Sequence, residues 1–330
     1  MNARSIVNKI DEFQAIIHDL QPDIVGITET WANDSILDAE LTIQGYHLFR
    51  CDRGTGNRGG GVLLYVNSSL RPVEFVTKSY YGEHTWCCIG DLIIGVCYRS
   101  TNAAIVGQGN NSNLINVLRE VANKHVLIMG DFNYPDIDWF TCMPCSSDPD
   151  TVDFVWTIED CFYIQHVLSP TRGDAVLNLV LSTDSDLVSN VNVIDQLGNS
   201  DRNMITFTIH FACEVYVSNR KIKDYIHGDY ESMKTVLADK NWDNFMSAPV
   251  NDCWDNFKIL LFKLLDDYVP LKDIAANKTA RKPIWMTHKA FRLVQRKNKV
   301  FSKYKDTHHP AVKSARKAAK VEVKKSTQKF

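Results

Sequence analysis

Two polar side chains follow a short apolar run near the middle of the chain. Asp131 and Asn133 come after Val126–Met129 and Gly130, a pattern that predicts a buried strand ending at the glycine. If the chain stays extended past Gly130, both side chains leave the same face. A carboxylate and an amide fixed there can hold a hard cation or orient a water molecule. The alternative is an Asx-rich turn without chemistry, because Asp and Asn favour turns.

A second acid stands at a comparable place. Asp23–Trp31 predicts another buried strand whose far end carries Glu29. The glutamate is either a functional group at the mouth of the strand or a surface acid after it.

A glycine-rich connection then leads into the strand Val62–Val66. Its glycines are interleaved with Arg53 and Arg58, and no Gly-Lys-Ser/Thr follows, so it is not a phosphate-binding P-loop. Glycines allow close approach of the backbone, and the two arginines could meet phosphates.

These candidates must be positioned by many short strands and a few helices. Amphipathic spacing predicts an opening helix at Ser5–Leu20. The other segments predicted as strands are Thr85–Ile89, Leu92–Tyr98, Val176–Leu181, Val191–Ile194 and Ile205–His210; those predicted as helices are Asn113–Ala122, Val152–Cys161, Tyr230–Lys240, Asp252–Tyr268, Ala290–Tyr304 and Ala311–Lys325. Polar clusters placed after strands indicate an α+β two-sheet sandwich with its site at one rim.

Composition excludes several other classes. With 330 residues, of which 45% are hydrophobic and 23% charged, the chain can bury a large core. Nine cysteines without regular spacing argue against a disulfide framework, and the single Cys142–Cys145 CxxC pair lacks the ligand count of a zinc site. No secretory or membrane-spanning segment is evident, so we expect an intracellular protein, nuclear or cytoplasmic.

Charge is distributed unevenly along the chain. The segment 281–330, called here the basic tail, carries 16 Lys and Arg residues against two acids, although the whole chain has a net charge of −2. Such asymmetry suggests a tail that binds anions. The tail is either a solvated linker or a segment that binds the nucleic-acid backbone.

Taken together, eight strings resemble the endonuclease/exonuclease/phosphatase superfamily, and more closely the endonuclease domain of non-LTR retrotransposons, in the branch similar to apurinic endonucleases. They lie in family order over residues 1 to about 210. The strings are Asn2–Ser5, Gly26–Trp31, Arg58–Tyr65, Val96–Arg99, Gly130–Asp136, Pro170–Arg172, Leu177–Leu181 and Gly198–Asn203.

The resemblance implies a four-layer α/β/β/α sandwich of the DNase I type, followed by a helical C-terminal extension. We therefore expect a nuclease-like domain at 1–212, a helical connector at 213–280 and the basic tail at 281–330. The ancestral reverse transcriptase is expected to be absent, because no polymerase motif is found.

The resemblance also implies roles for individual residues in a Mg²⁺-dependent phosphodiesterase that nicks DNA, with Mn²⁺ as an alternative ion. Glu29 would be the principal metal ligand, with Asn2 and Asp201 near the ion. Asp131 would orient or deprotonate the attacking water, while Asn133 and Tyr98 would hold the phosphate. Arg53, Arg58 and Arg172 are weaker candidates for contacts with DNA.

Three positions depart from the family pattern. The family has Ser-Asp-His where this chain has Ser200-Asp201-Arg202, and an aspartate where this chain has Asn178. In the family the aspartate orients the histidine, whereas an arginine keeps its proton at physiological pH and cannot exchange one. The family also has a strand before the position of Asn2, so Asn2 is expected to lie on a loose end.

Three functions are consistent with this pattern. The first is a retrotransposon-derived endonuclease whose cleavage is impaired by Arg202 and Asn178, since loss of a positioned acid or base costs roughly 10²–10⁴ in rate. The second is a catalytically dead remnant that still binds DNA or phosphate. The third is a phosphatase or lipid phosphodiesterase of the same superfamily, which a panel of substrates would distinguish.

Overall fold

A computed structural model describes residues 1–54, 59–100, 111–213, 220–242, 249–274 and 282–329. The chain divides into two compact units, one comprising Met1–Tyr216 with Thr279–Phe330 and the other Val217–Lys278. Among the described residues, none of the helices combines the length and apolar character that a membrane crossing requires.

The first unit contains two main sheets. One has the strand order β1-β3-β2 and is antiparallel. Its strands are β1 (Ile24–Thr28), β2 (Tyr46–Cys51) and β3 (Val62–Asn67).

The other sheet has the order β10-β11-β7-β6-β5-β4, and only its central β6 and β7 pair is parallel. Its strands are β4 (Val73–Glu74), β5 (His84–Ile89), β6 (Leu92–Tyr98), β7 (Val126–Asp131), β10 (Ile164–Gln165) and β11 (Asn178–Ser182). Two small antiparallel pairs accompany it: β8 (Ile137–Asp138) with β9 (Met143–Pro144), and β12 (Val188–Ile194) with β13 (Met204–Ile209).

Helices cover the outer faces of the sheets. A short 3₁₀ turn at Val7–Lys9 leads into α1 (Ile10–Leu20), and the other α-helices described before residue 214 are α2 (Asp38–Leu41), α3 (Asn111–Val121) and α4 (Pro149–Asp160). Phe13 and Ile16 of α1 pack with Leu63 of the three-stranded sheet, while Leu118 of α3 packs with Ile128 of the six-stranded sheet. A third apolar cluster joins the two sheets. The arrangement confirms the expected fold class, an α+β sandwich with helices outside and helices at its C-terminal end.

Two further helices, α7 (His288–Tyr304) and α8 (Pro310–Thr327), form what we call the C-terminal hairpin. The sequence predicts this segment as a basic tail separate from the sandwich, whereas in the structure it packs on α1 within the same compact unit. Its helical pattern was weak in sequence because small residues such as Ala315 and Ala319 form its buried face.

Within the part that the structure describes, the second unit has one strand pair and two helices. Its elements are β14 (Arg220–Lys223), β15 (Leu271–Ile274), α5 (Tyr230–Ala238) and α6 (Val250–Tyr268). Met233 and Leu264 form the centre of its small apolar core.

Candidate active site

Three predicted site residues lie side by side at one edge of the six-stranded sheet. Tyr98, the last residue of β6, is in register with Asp131, the last residue of β7. On the other side of β7, Asn178 at the start of β11 is also in register with Asp131. The strand ends therefore bring a phenol, a carboxylate and an amide into one row.

Arg202 reaches this row from the loop before β13. Its Nε donates to Asp131 Oδ2 at 2.6 Å, and its Nη2 donates to Asn133 Oδ1. Arg202 is 5% exposed and Asp131 fully buried, so the ion pair is removed from bulk water. The guanidinium of Arg202 thus donates to both polar side chains of the Asp131-Phe132-Asn133 segment.

Two atoms of this ion pair remain without hydrogen-bond partners in the described part of the chain. They are Arg202 Nη1, a donor, and Asp131 Oδ1, an acceptor, and both are buried. Buried polar atoms are normally paired, so a donor and an acceptor left together mark a place where a polar ligand can bind.

Burial raises the pKa of Asp131 above its usual value, and the Arg202 guanidinium opposes that rise. The charged Glu29 carboxylate is close enough to raise the same pKa further. Asp131 is therefore a carboxylate whose charge is strongly dependent on one neighbouring cation.

Glu29 follows β1 in a left-handed backbone conformation, with φ of 56°. Its Oε1 accepts a hydrogen bond from the Tyr98 hydroxyl, and its Oε2 accepts one from Trp31 Nε1 at 2.6 Å. Burial, together with Glu29, raises the pKa of Tyr98, so the phenol stays protonated and acts as a donor. The sequence gives Trp31 no role of its own, although it ends a predicted strand and one of the strings that resemble the family.

Asn2 is buried and joined to the site, contrary to the loose end that we expected. Its Nδ2 donates to Asp131 Oδ2 at 2.8 Å, and its backbone forms a parallel bridge with Thr28. The Ser200 hydroxyl also donates to Asn2 O at 2.8 Å. Backbone pairing with the end of β1 replaces the strand that we thought necessary to hold this residue.

Asn178 does not take over the role of a carboxylate partner for residue 202. Its Nδ2 donates to Asn203 O at 3.3 Å, and its Oδ1 is buried without a partner in the described residues. An amide attracts a guanidinium less than a carboxylate does, and Arg202 is bonded to Asp131 instead.

Asp201 was expected near the metal, but its carboxylate contacts Arg172 at 3.2 Å on the rim of the site. Within the described residues, no three His, Cys, Asp or Glu side chains are grouped so that they could share a metal ion. Of the three acids expected around the metal ion, Glu29 and Asp131 therefore lie near each other, and Asp201 does not join them in one cluster.

The three arginines that the sequence suggests as DNA contacts differ in their surroundings. Arg53 is committed to a bidentate ion pair with Glu83, with both distances 3.0 Å and both side chains less than a tenth exposed. Glu83 also accepts from the backbone N–H of Gly61. Arg53 lies over the Tyr98 ring at 5.9 Å, so it supports the site from behind rather than facing solvent. Arg58 lies outside the described residues, and Arg172 is exposed.

Comparison with known proteins gave one family match. The model of the Endonuclease/Exonuclease/phosphatase family matches residues 1–202. A search of curated proteins found no match.

Several solved structures are similar to this chain. An AP endonuclease from Archaeoglobus fulgidus has 12% identity and a TM-score of 0.49, with 64% of this chain and 97% of that chain covered. The AP endonuclease LMAP from Leishmania major has 12% identity and a TM-score of 0.49, covering 63% and 86%. A family protein from Leptotrichia buccalis has 17% identity and a TM-score of 0.44, covering 64% and 98%.

Proposed function

Because the chain belongs to the endonuclease/exonuclease/phosphatase family, we propose that it is a retrotransposon-derived DNA-binding endonuclease domain whose cleavage activity is strongly reduced. The retrotransposon origin rests on strings such as Arg58–Tyr65 and Gly130–Asp136. The reduced activity rests on one observation, the buried ion pair between Arg202 and Asp131.

The ion pair weakens Asp131 as a base. A general base must accept a proton, and a permanently charged guanidinium at 2.6 Å disfavours the protonated carboxyl group. Arg202 itself cannot donate or accept a proton at physiological pH. Arg202 therefore cannot serve as the acid or base, and it opposes the rise that burial gives to the pKa of Asp131.

The same geometry favours binding of a phosphate. Arg202 Nη1 is a buried donor without a partner among the described residues, and a phosphodiester oxygen is a strong acceptor for it. The Asn133 amide is held in place because its Nδ2 donates to Arg99 O at 2.7 Å. A fixed guanidinium beside a fixed amide can hold the backbone of a nucleic acid.

Members of this family are generally dependent on a divalent metal, and part of the predicted ligand set fits one. Asp131 Oδ1 is a buried acceptor without a donor in the described residues, and the Glu29 carboxylate is close enough to affect it. Mg²⁺ or Mn²⁺ needs only one or two carboxylates beside water and phosphate oxygens, so Glu29 and Asp131 would hold it. The ion would supply positive charge to offset that of the phosphate oxygens.

The proposal is tested by measuring DNA binding and cleavage on the same preparation. The purified chain should retard a DNA duplex on a native gel, yet nick a supercoiled plasmid slowly in Mg²⁺. Residual nicking should disappear in Glu29→Ala, whereas DNA binding without metal should persist. A chain that neither binds nor cuts DNA would contradict the proposal.

A further inference from the structure

The C-terminal hairpin is fixed to the segment that leads to the candidate active site. Asp195, fully buried after β12, forms ion pairs with Arg316 of α8 and, at 3.7 Å, with Lys297 of α7. Lys297 Nζ also donates to Gln196 O at 3.2 Å. A hairpin held by a buried acid is not a solvated linker, and its position relative to residues 195–202 is defined.

A second set of contacts joins α1 to the C-terminal hairpin and to the residues just before it. Trp285 Nε1 donates to Gln14 Oε1 at 3.0 Å, and Asn298 Nδ2 donates to Asp19 Oδ2 at 2.9 Å. The helix α8 in turn packs against both α7 and α1, so its exposed lysines lie on a helix that is fixed to the sandwich.

Between the hairpin and the sandwich lies a cleft of about 460 Å³ that we call the tail cleft. One wall is formed by the Arg172 loop and by Ser200 and Asp201, and the other by His308, Lys313 and Arg316. Asp201 is the residue before Arg202 in the chain, so the tail cleft adjoins the candidate active site.

The tail cleft carries an excess of positive charge. Arg172, Lys313 and Arg316 line it, against the single carboxylate of Asp201. Arg316 is balanced by Asp195 and Arg172 contacts Asp201, but Lys313 is exposed and has no ion-pair partner among the described residues. Lys313 lines the cleft, and its ammonium group is a compact positive charge that can bind an anion there.

A linear polyanion fits this arrangement better than a small anion. Arg202 presents a donor inside the site, while Arg172 and Lys313 lie on the walls of the adjoining cleft. A chain of phosphates can contact both places at once, and each added phosphate contact releases counterions and strengthens binding.

We propose that two neighbouring backbone phosphates of one DNA strand bind this protein, one at Arg202 in the candidate active site and the other in the tail cleft. Lys313 of the C-terminal hairpin is the main cation of the tail cleft. The inference rests on the proposed function, because it assumes a DNA ligand at Arg202. It adds that the hairpin forms part of the DNA-binding surface.

Two charge reversals on one helix test the inference. Lys313→Glu alters the tail cleft, and Lys325→Glu makes the same change of charge at another exposed position of α8, about 18 Å along the helix axis. That separation exceeds the screening length of roughly 10 Å at 0.1 M salt. Binding of a fluorescein-labelled DNA duplex is measured by anisotropy in EDTA, between roughly 50 and 200 mM NaCl.

Lys313→Glu should weaken binding by about tenfold and lower the slope of log affinity against log salt by about one, whereas Lys325→Glu should change affinity less than about twofold. If the native chain binds DNA but the two substitutions weaken binding equally, or Lys313→Glu does not weaken it at all, the inference is overturned. Failure of the native chain to bind the duplex would overturn both this inference and the proposed function.

Discussion

Removing the Arg202 guanidinium should strongly destabilise the fold. Arg202→Met keeps much of the side-chain volume but leaves the Asp131 carboxylate, fully buried, with only the Asn2 amide as a donor among the described residues. Breaking a buried ion pair by removing one partner costs about 3–5 kcal/mol. Because whole domains are stable by only about 5–15 kcal/mol, this is a large fraction of the free energy of unfolding.

The destabilisation should also depend on pH. Burial raises the pKa of Asp131 above 3.8 in the folded state, and Arg202 limits that rise. A group whose pKa is raised on folding contributes stability at low pH that is lost as the pH rises through its folded pKa. Without the guanidinium the pKa rises further, so the deficit of Arg202→Met should be smallest near pH 4 and grow towards neutral pH.

The assay is urea denaturation followed by tryptophan fluorescence, with Arg202→Met, Asp131→Asn and the double variant. The double variant removes both charges, so the cycle should show a coupling of about 2–3 kcal/mol. Arg172→Met is a matched control, since its pair with Asp201 is 52% and 34% exposed and should contribute less than about 1 kcal/mol. A cost for Arg202→Met no larger than that of the control, with no coupling, would refute the reasoning.

Three further outcomes are expected. Glu83→Gln leaves the guanidinium of Arg53 buried without its carboxylate, so thermal denaturation should show a loss of about 3 kcal/mol; a change below about 1 kcal/mol would show that the pair does not support the site. Asp195→Ala removes the acid shared by Lys297 and Arg316, so trypsin should cut within 282–329 faster than in the native chain, and equal rates would contradict the anchoring. Burial lowers the pKa of His84 to about 4, so stability should fall as pH drops from 6.5 towards 4; His84→Gln should flatten that part of the curve, and an unchanged slope would exclude the residue as the cause.

The strand ends of the site follow from sequence with little ambiguity. Apolar runs that stop at polar residues predict that buried strands end near Glu29, Tyr98 and Asp131, although Asp131 and Tyr98 are themselves buried. The departure at Arg202 is also visible in sequence, since it is a change of residue type at a defined position. The hydrogen-bond partners of Arg202 cannot be predicted from sequence, because a long flexible side chain can reach several acceptors. Only the packing of the fold selects Asp131 and Asn133.

The contacts that support the site are harder to infer. Arg53 looks like a free cation beside glycines, and only the fold brings Glu83, 30 residues away, against it. Lys297 likewise appears as one of many basic residues in the tail, although it is 1% exposed and paired with Asp195. Helical periodicity does not reveal which lysine of a basic segment is buried, because charged residues occupy both faces.

The most direct test of the central claim is the rate of plasmid nicking in Mg²⁺ for the native chain beside an Arg202→His, Asn178→Asp double variant. The double variant introduces an imidazole that can exchange a proton and a carboxylate in place of the Asn178 amide. We expect it to nick supercoiled DNA roughly 10²-fold faster or more than the native chain, at DNA concentrations that saturate both proteins. A native rate equal to that of the double variant would contradict the claim that Arg202 suppresses cleavage.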